Sequence, residues 1–571
     1  MLTSHYQSEL NHLRRVANEF ARSNPALAPL LGVDSANDPD VERLLEGVAF
    51  LTGMVRQRLD DEFPEFIQEL AQLLYPHYLH PLPCLTLLQF APRGTLQQAS
   101  RIDAGCEVAS VPVDGQRVRF RSTATVDLEP LQLIDTRWDG GAGEERSLIL
   151  DFAFTTADPD DWQADSLRFY LGDGLVDGCK LLRLLQLNLR EIRIYAQGQP
   201  MTLLPARHLR GLGFDASNTL LPFPDTAHPA YRCLQEYFAL PEKFLFVELS
   251  GFKQWRARGK EGRFSVRMMF ESLPDWAPNL TANSFMMGVT PAINLFDQEA
   301  HPLRIDHKQV DYRIQPADHS QRTNMRIHSI LKVSAYSAEG GEKQLEPFNT
   351  FSQRDTYNLR IRQSTIDAQG YDHYLSLPYR EGKVLSEVTL SIGLLCTNGK
   401  LPESLRLGDL NQPTDNTPSR VEFKSIRGIT PSQPPKFDDK LLWRMLSQLN
   451  ANHFRLANRD YLRGLLSLYL PSVGVGGQDA NEQRIDAIES VTVTHERRFI
   501  RGLPIEGSEV RVECRGDHFL SPGNFYMFGC VLDEFFAGCT AVNSFTAFTL
   551  FDSVNHETLK WPAKIGHQRL L

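Results

Sequence analysis

The chain has 571 residues, with 60 Lys and Arg against 70 Asp and Glu and a formal net charge of −10. At roughly 100–200 residues per domain, that length exceeds one hydrophobic core and implies several units. The acidic balance lacks the basic face that phosphate backbones require, which argues against nucleic acid as the main partner. Hydrophobic content of 42% with 23% charged residues is ordinary for a globular chain, and 33 Phe supply aromatic side chains for sheet cores.

The first residues, Met1-Leu2-Thr3-Ser4-His5-Tyr6, carry neither the basic region nor the apolar run of a secretory signal. No stretch approaches the ~20 uninterrupted apolar residues that span a bilayer. The eight cysteines (Cys84, Cys106, Cys179, Cys233, Cys396, Cys514, Cys530 and Cys539) are scattered without a C-x-x-C pair. Free thiols in a reducing compartment are the expectation, and hence a cytoplasmic protein without membrane insertion.

Residues 1–80 have helical texture. Tyr6, Leu10, Leu13, Ala17 and Phe20 recur at three- and four-residue steps, which puts them on one helix face. Asp38-Pro39 opens a second helix as cap and first-turn proline, followed by a stripe of Val41, Leu44, Leu45, Val48, Leu51 and Val55. Phe63, Phe66, Ile67, Leu70, Leu73 and Leu74 form a third stripe. Short helices are marginal in water unless packed, so these faces either cover one another or are completed by another chain.

Pro76, Pro81 and Pro83 end this region. Short strand-like runs follow at 85–90, 117–120 and 147–152, separated by Gly-, Asp- and Pro-rich loops. A helix near 175–188 precedes a strand at 191–195, and a helix around 230 ends at Pro241 before a strand from Phe244 to Leu249. Alternating runs continue through 264–270, 327–335 and 388–396, and the Gly- and Pro-rich stretch 398–420 is the best candidate boundary. Beyond it, Leu441, Leu442, Met445, Leu446 and Leu449 predict a helix, as do Tyr461, Leu462, Leu465, Leu466 and Leu468. A last helix carries Phe525, Phe528, Val531, Leu532, Phe535 and Phe536, with Asn524 as its expected cap.

The predicted class is α+β: an N-terminal helical segment (1–84) ahead of a multidomain, β-rich body with a few packed helices. That body divides into a β-rich domain (85–200), a β-rich middle region open to two subdomains (201–410) and an α+β C-terminal domain (411–571).

A search for chemistry finds little. His77 and His80 stand three apart, but Pro76 and Pro81 bracket them, and His301, Asp306 and His307 match no standard ligand spacing. There is no H-E-x-x-H and no G-x-S-x-G, and the glycines at 474, 476 and 477 lack the Lys-Ser/Thr of a phosphate loop. Asp60, Asp61, Glu62 and Glu65 read as a solvated face, because successive helical carboxylates point in different directions. Arg497, Arg498 and Arg501 read as a solvated strand end. No catalytic residue, cofactor site or metal site is assigned.

Longer strings are more informative. They include Tyr6-x-x-Glu9-Leu10-x-x-Leu13, Asp38-Pro39-Asp40-Val41-Glu42-Arg43-Leu44-Leu45-Glu46, and Tyr75-Pro76-His77-Tyr78-Leu79. Further along come Tyr231-Arg232-x-Leu234-Gln235-Glu236-Tyr237-Phe238 with Pro241-Glu242-Lys243-Phe244-Leu245-Phe246, then Thr290-Pro291-Ala292-Ile293-Asn294-Leu295-Phe296, Leu395-Cys396-Thr397-Asn398 and Asn543-Ser544-Phe545-Thr546. Across these blocks, in order, the chain resembles the TssF (ImpG/VasA) family of type VI secretion baseplate subunits; residues 97–165 contribute least.

That resemblance implies a non-enzymatic subunit of a baseplate wedge, two copies per TssG, working with TssK and TssE around the VgrG hub as a platform for the contractile sheath. It would be docked at the inner face of the cytoplasmic membrane. Leu10, Leu13, Leu44, Leu45 and Leu51 are the expected partner-binding residues. Two other classes compete. One is a β-rich carbohydrate-active enzyme with two carboxylates from separate strands. The other is a tail-fibre or adhesin-like binding protein.

Overall fold

The computed structural model describes residues 76–566, apart from 141–145, 157, 216–217, 224–228, 318–323, 338–340, 349–354, 365–369, 379–386, 436–457, 472–477 and 501. Ahead of these it describes residues 6–7, 10–14, 43, 46–52, 54 and 70–72. The chain divides into two compact units, the first comprising Met1–Leu79 with Lys436–Ser447 and the second His80–Pro435 with Gln448–Leu571. In the first, all of the described residues up to 72 are helical, and a 3₁₀ turn spans Pro76–Leu79. The helix expected at 441–449 and the glycines at 474–477 lie outside the described residues.

The second unit is built mainly from antiparallel strand pairs, as expected of an α+β chain with a β-rich body. The strand Arg263–Phe270 shows why. Phe264, Val266 and Met268 are buried while Arg263, Ser265 and Arg267 are not, the period-two pattern of a half-buried strand. It lies at the centre of a five-stranded sheet in the order Thr202–Pro205, Leu189–Tyr195, Arg263–Phe270, Ser147–Phe154, Leu131–Asp139.

A six-stranded sheet has Leu85–Pro92 between Val289–Ile293 and Val421–Ser425. Leu88, Phe90, Val108, Phe120 and Leu410 form its core. The stretch 398–420 thus holds the edge strand Leu410–Pro413, paired with Glu107–Ser110. A larger sheet is organised by Val388–Thr397, which pairs with Arg326–Ser337, Phe296–Glu299 and Leu303–Ile305.

The C-terminal sheet contains a parallel pair, Leu503–Cys514 beside Phe545–Asp552. Parallel strands need a crossover, and the helix Pro522–Gly538 provides it. This helix is buried on nearly every side. Gly523 meets the backbone of Cys179 and Lys180 in the helix Gly174–Leu187, Gly538 meets Ala230 in the helix Pro229–Ala239, and Gly529 meets Trp561. A side chain at any of the three would hold the helix off its neighbours. Its cap is Ser521, whose Oγ accepts the Asn524 N–H at 3.2 Å, not the expected Asn524; Pro522 occupies the first turn.

Two further expectations are refined. The strand expected to begin at Phe244 begins at Phe246, because Pro241–Leu245 forms a 3₁₀ turn started by the proline. The helix expected at 461–468 spans Arg459–Leu468, with the Asn458 side chain accepting from the Asp460 and Tyr461 N–H groups.

Candidate interaction surfaces

Of the five leucines expected at a partner interface, Leu10 is buried, Leu13 half-buried and Leu51 60% exposed. Leu44 and Leu45 lie outside the described residues. Leu51 has apolar company: Val48, Phe50 and Met54 are also exposed, while Ala49 is buried. On a helix Phe50, Leu51 and Met54 share a side, so these residues present a contiguous apolar stripe.

In the second unit the strands Ile488–Ile500 and Leu503–Cys514 form a long hairpin. Pairing to the third strand starts only at Gly507. Among the described residues, 497–500 and 503–506 therefore have strand partners only in one another, as a two-stranded arm. Phe499, at 80% exposure, lies in this arm. Arg498 turns back onto Glu496 at 2.6 Å and over the Phe545 ring at 5.4 Å; Arg501 lies outside the described residues.

A cleft in the same unit is lined by Thr125, Asp127, Glu129, Arg168, Tyr170 and Lys243, among others, and encloses about 60 Å³. That is room for a few water molecules. Two of its charged lining residues, Arg168 and Lys243, are held in ion pairs with residues behind the lining. Arg168, Glu248 and Arg210 stand opposite one another across the strands Ser166–Tyr170, Phe246–Ser250 and Leu209–Gly211, at 3.5 and 2.8 Å. Burial alone would raise the Glu248 carboxyl, but hydrogen bonds from Arg210 and Ser166, with both arginine charges, hold it below the usual range. Glu129 is pushed up by burial, although the Trp162 indole N–H donates to it at 2.8 Å.

Lys243 is paired with Glu236, which is fully buried on the helix Pro229–Ala239. The other Glu236 oxygen accepts the backbone N–H groups of Leu220 (2.7 Å) and Leu221 (3.2 Å). The string Gln235-Glu236-Tyr237-Phe238 with Pro241-Glu242-Lys243, which carries part of the family resemblance, is therefore a structural staple. The sequence reading missed this pair, and a Glu and a Lys seven apart on either side of a proline were its only signal.

Among the described residues no group of three or more His, Cys, Asp or Glu has metal-binding geometry, and no helix is long and apolar enough to cross a membrane. All eight cysteines are free thiols, seven of them buried.

Comparison with known proteins identifies the lineage. Residues 1–568 match the family model described as "Type VI secretion system, TssF". The type VI secretion system component TssF1 of Pseudomonas aeruginosa is 29% identical over 625 residues, covering 99% of this chain and 98% of that protein. A chain in a cryo-electron-microscopy structure of the TssK-TssF-TssG baseplate subcomplex matches with a TM-score of 0.79 at 27% identity, over 93% of this chain and 99% of that one. A chain of a type VI secretion baseplate complex shares the fold with a TM-score of 0.62 at 23% identity, over the full length of both. The resemblance drawn from the residue strings is borne out, and the chain belongs to the TssF family of the type VI secretion system.

Proposed function

We propose that this chain is a non-enzymatic, structural subunit of a type VI secretion baseplate wedge. It binds TssG, with two copies of the chain per TssG, and TssK. TssE, the VgrG hub and the sheath are further neighbours in the assembly, which sits on the cytoplasmic side of the inner membrane. The observation that carries this reading is the end-to-end match to a chain of the TssK-TssF-TssG subcomplex. The exposed stripe of Val48, Phe50, Leu51 and Met54 supports it, since permanent interfaces bury on the order of 2,000 Å² or more and are comparatively apolar.

Co-expression with TssG, followed by native mass measurement, tests the reading; the expected species holds two copies of this chain and one TssG. Leu51→Glu, with or without Leu44→Glu, should abolish co-purification. Leu51 is exposed, so Leu51→Glu alone leaves folding intact, and retained TssG binding by that variant rejects the helical stripe as the docking face.

A further inference from the structure

Three histidines far apart in sequence gather in the second unit. His80 is its first residue, at the point where the chain leaves the helical unit. His328 lies on the strand Arg326–Ser337 and His373 on Tyr371–Ser376, and both are 4% exposed. The His80 and His328 rings stand 4.9 Å apart at 49°.

The backbone is arranged to bring His328 here. Pairing with Val388–Thr397 runs Ile327 opposite Cys396 and then Ser329 opposite Leu395, so His328 is the extra residue of a β-bulge. Bulges re-aim a side chain. The Nδ1 of His328 faces the Ser329 hydroxyl at 3.1 Å. That of His373 is buried with no hydrogen-bond partner among the described residues. A leucine or phenylalanine would fill this space without leaving a polar atom unpaired.

We propose that His80, His328 and His373 form a proton-sensitive latch. While neutral, they hold the start of the second unit against the strands Arg326–Ser337 and Tyr371–Ser376; when protonated, they release it. The charges around the latch favour release. His328 feels His80, Arg121 and His373, and His373 feels His80, so each added proton meets other cations. Arg121 itself answers to Asp297 at 3.6 Å and to Glu107, outside the latch.

Burial lowers the imidazole of His80 to about 4 and that of His373 to about 3, and His328 lies well below its ordinary value, for the same reason first and the neighbouring cations second. The released state, with ordinary imidazoles near 6.5, therefore takes up protons that the closed state refuses. The closed state is fully favoured above pH ~6.5 and loses ground as pH falls below it. At pH 5.5 each of His80 and His373 favours release by about tenfold, together on the order of a hundredfold, and His328 acts in the same direction.

Backbone hydrogen exchange of the full-length chain at pH 7.5 and 5.5, corrected for intrinsic rates, tests this. Segments 80–84, 326–330 and 371–376 should lose at least tenfold protection at pH 5.5. The sheet Leu503–Cys514 with Phe545–Asp552 should not, since burial raises Asp533 on the adjoining helix to about 6 and makes its closed state the proton acceptor. Loss of less than twofold, or equal loss in both regions, overturns the latch. His80→Gln should shrink the acid-induced loss by about tenfold, and His373→Gln serves if that variant does not fold. In the unsubstituted chain, exchange of the imidazole C2–H should show all three rings titrating below pH ~5; any one titrating near 6.5 refutes the proposal.

Discussion

Glu236→Gln isolates the cost of one buried charge. The wild-type carboxylate has two tasks: one oxygen receives the Leu220 and Leu221 N–H groups and the other pairs with Lys243. Glutamine keeps the first, since its carbonyl still accepts both amides, but leaves the Lys243 ammonium, 5% exposed, without a counter-charge. Breaking a buried pair from one side costs about 3–5 kcal/mol. The lower figure applies here, because the amide acceptor survives and Lys243 retains the Phe244 ring face at 5.0 Å.

About 3 kcal/mol corresponds to roughly a hundredfold loss of protection. Exchange of the Leu220 and Leu221 amides reads it directly; a global melt does not, because a chain of two units need not unfold in one step. Glu236→Leu should cost at least ~2 kcal/mol more, since two buried N–H groups lose their acceptor. Glu236→Gln with Lys243→Met, which buries no charge, should recover most of the loss. Wild-type-like exchange in Glu236→Gln, or a double variant no better than the single one, would refute the reasoning.

Gly523→Ala gains about 1 kcal/mol of helix propensity but drives a Cβ into the Cys179 and Lys180 backbone. Overpacking costs about 1–3 kcal/mol and here meets no movable side chain, so exchange of the Pro522–Gly538 helix amides should show net destabilisation; unchanged or slower exchange contradicts the close helix contact. Ser521→Ala removes the cap of Pro522–Gly538 and should cost about 1 kcal/mol in the same assay; unchanged exchange argues against that cap. Thiol reagents at pH 8 should react fast with at most one cysteine per chain and with all eight in denaturant. Seven thiols are buried, and burial pushes Cys106 to about 11 and Cys396, Cys530 and Cys539 to about 12; several fast thiols in the native chain would contradict this packing.

The residue strings carried the family, because they are read in order along the chain. Local elements were legible where the signal is local. Phe264, Val266 and Met268 alternate because a strand has period two, and Leu462, Leu465 and Leu466 recur because a helix turns every 3.6 residues. Even there, neighbours decided details: Asn524 lost the cap to Ser521, three residues earlier, and Pro241 delayed a strand by two residues.

Tertiary structure alone decided what depends on contacts distant in sequence. Leu85–Pro92 has Val289–Ile293 on one side and Val421–Ser425 on the other, a register that composition does not encode. Glu236 became a staple because the fold brings it to Lys243 and to the amides of Leu220 and Leu221. The histidines at 80, 328 and 373 have no connection along the sequence, and only a bulge and two strands bring them together. Periodicity is a property of neighbours along the chain, whereas burial and charge pairing are properties of neighbours in space, and only folding makes those.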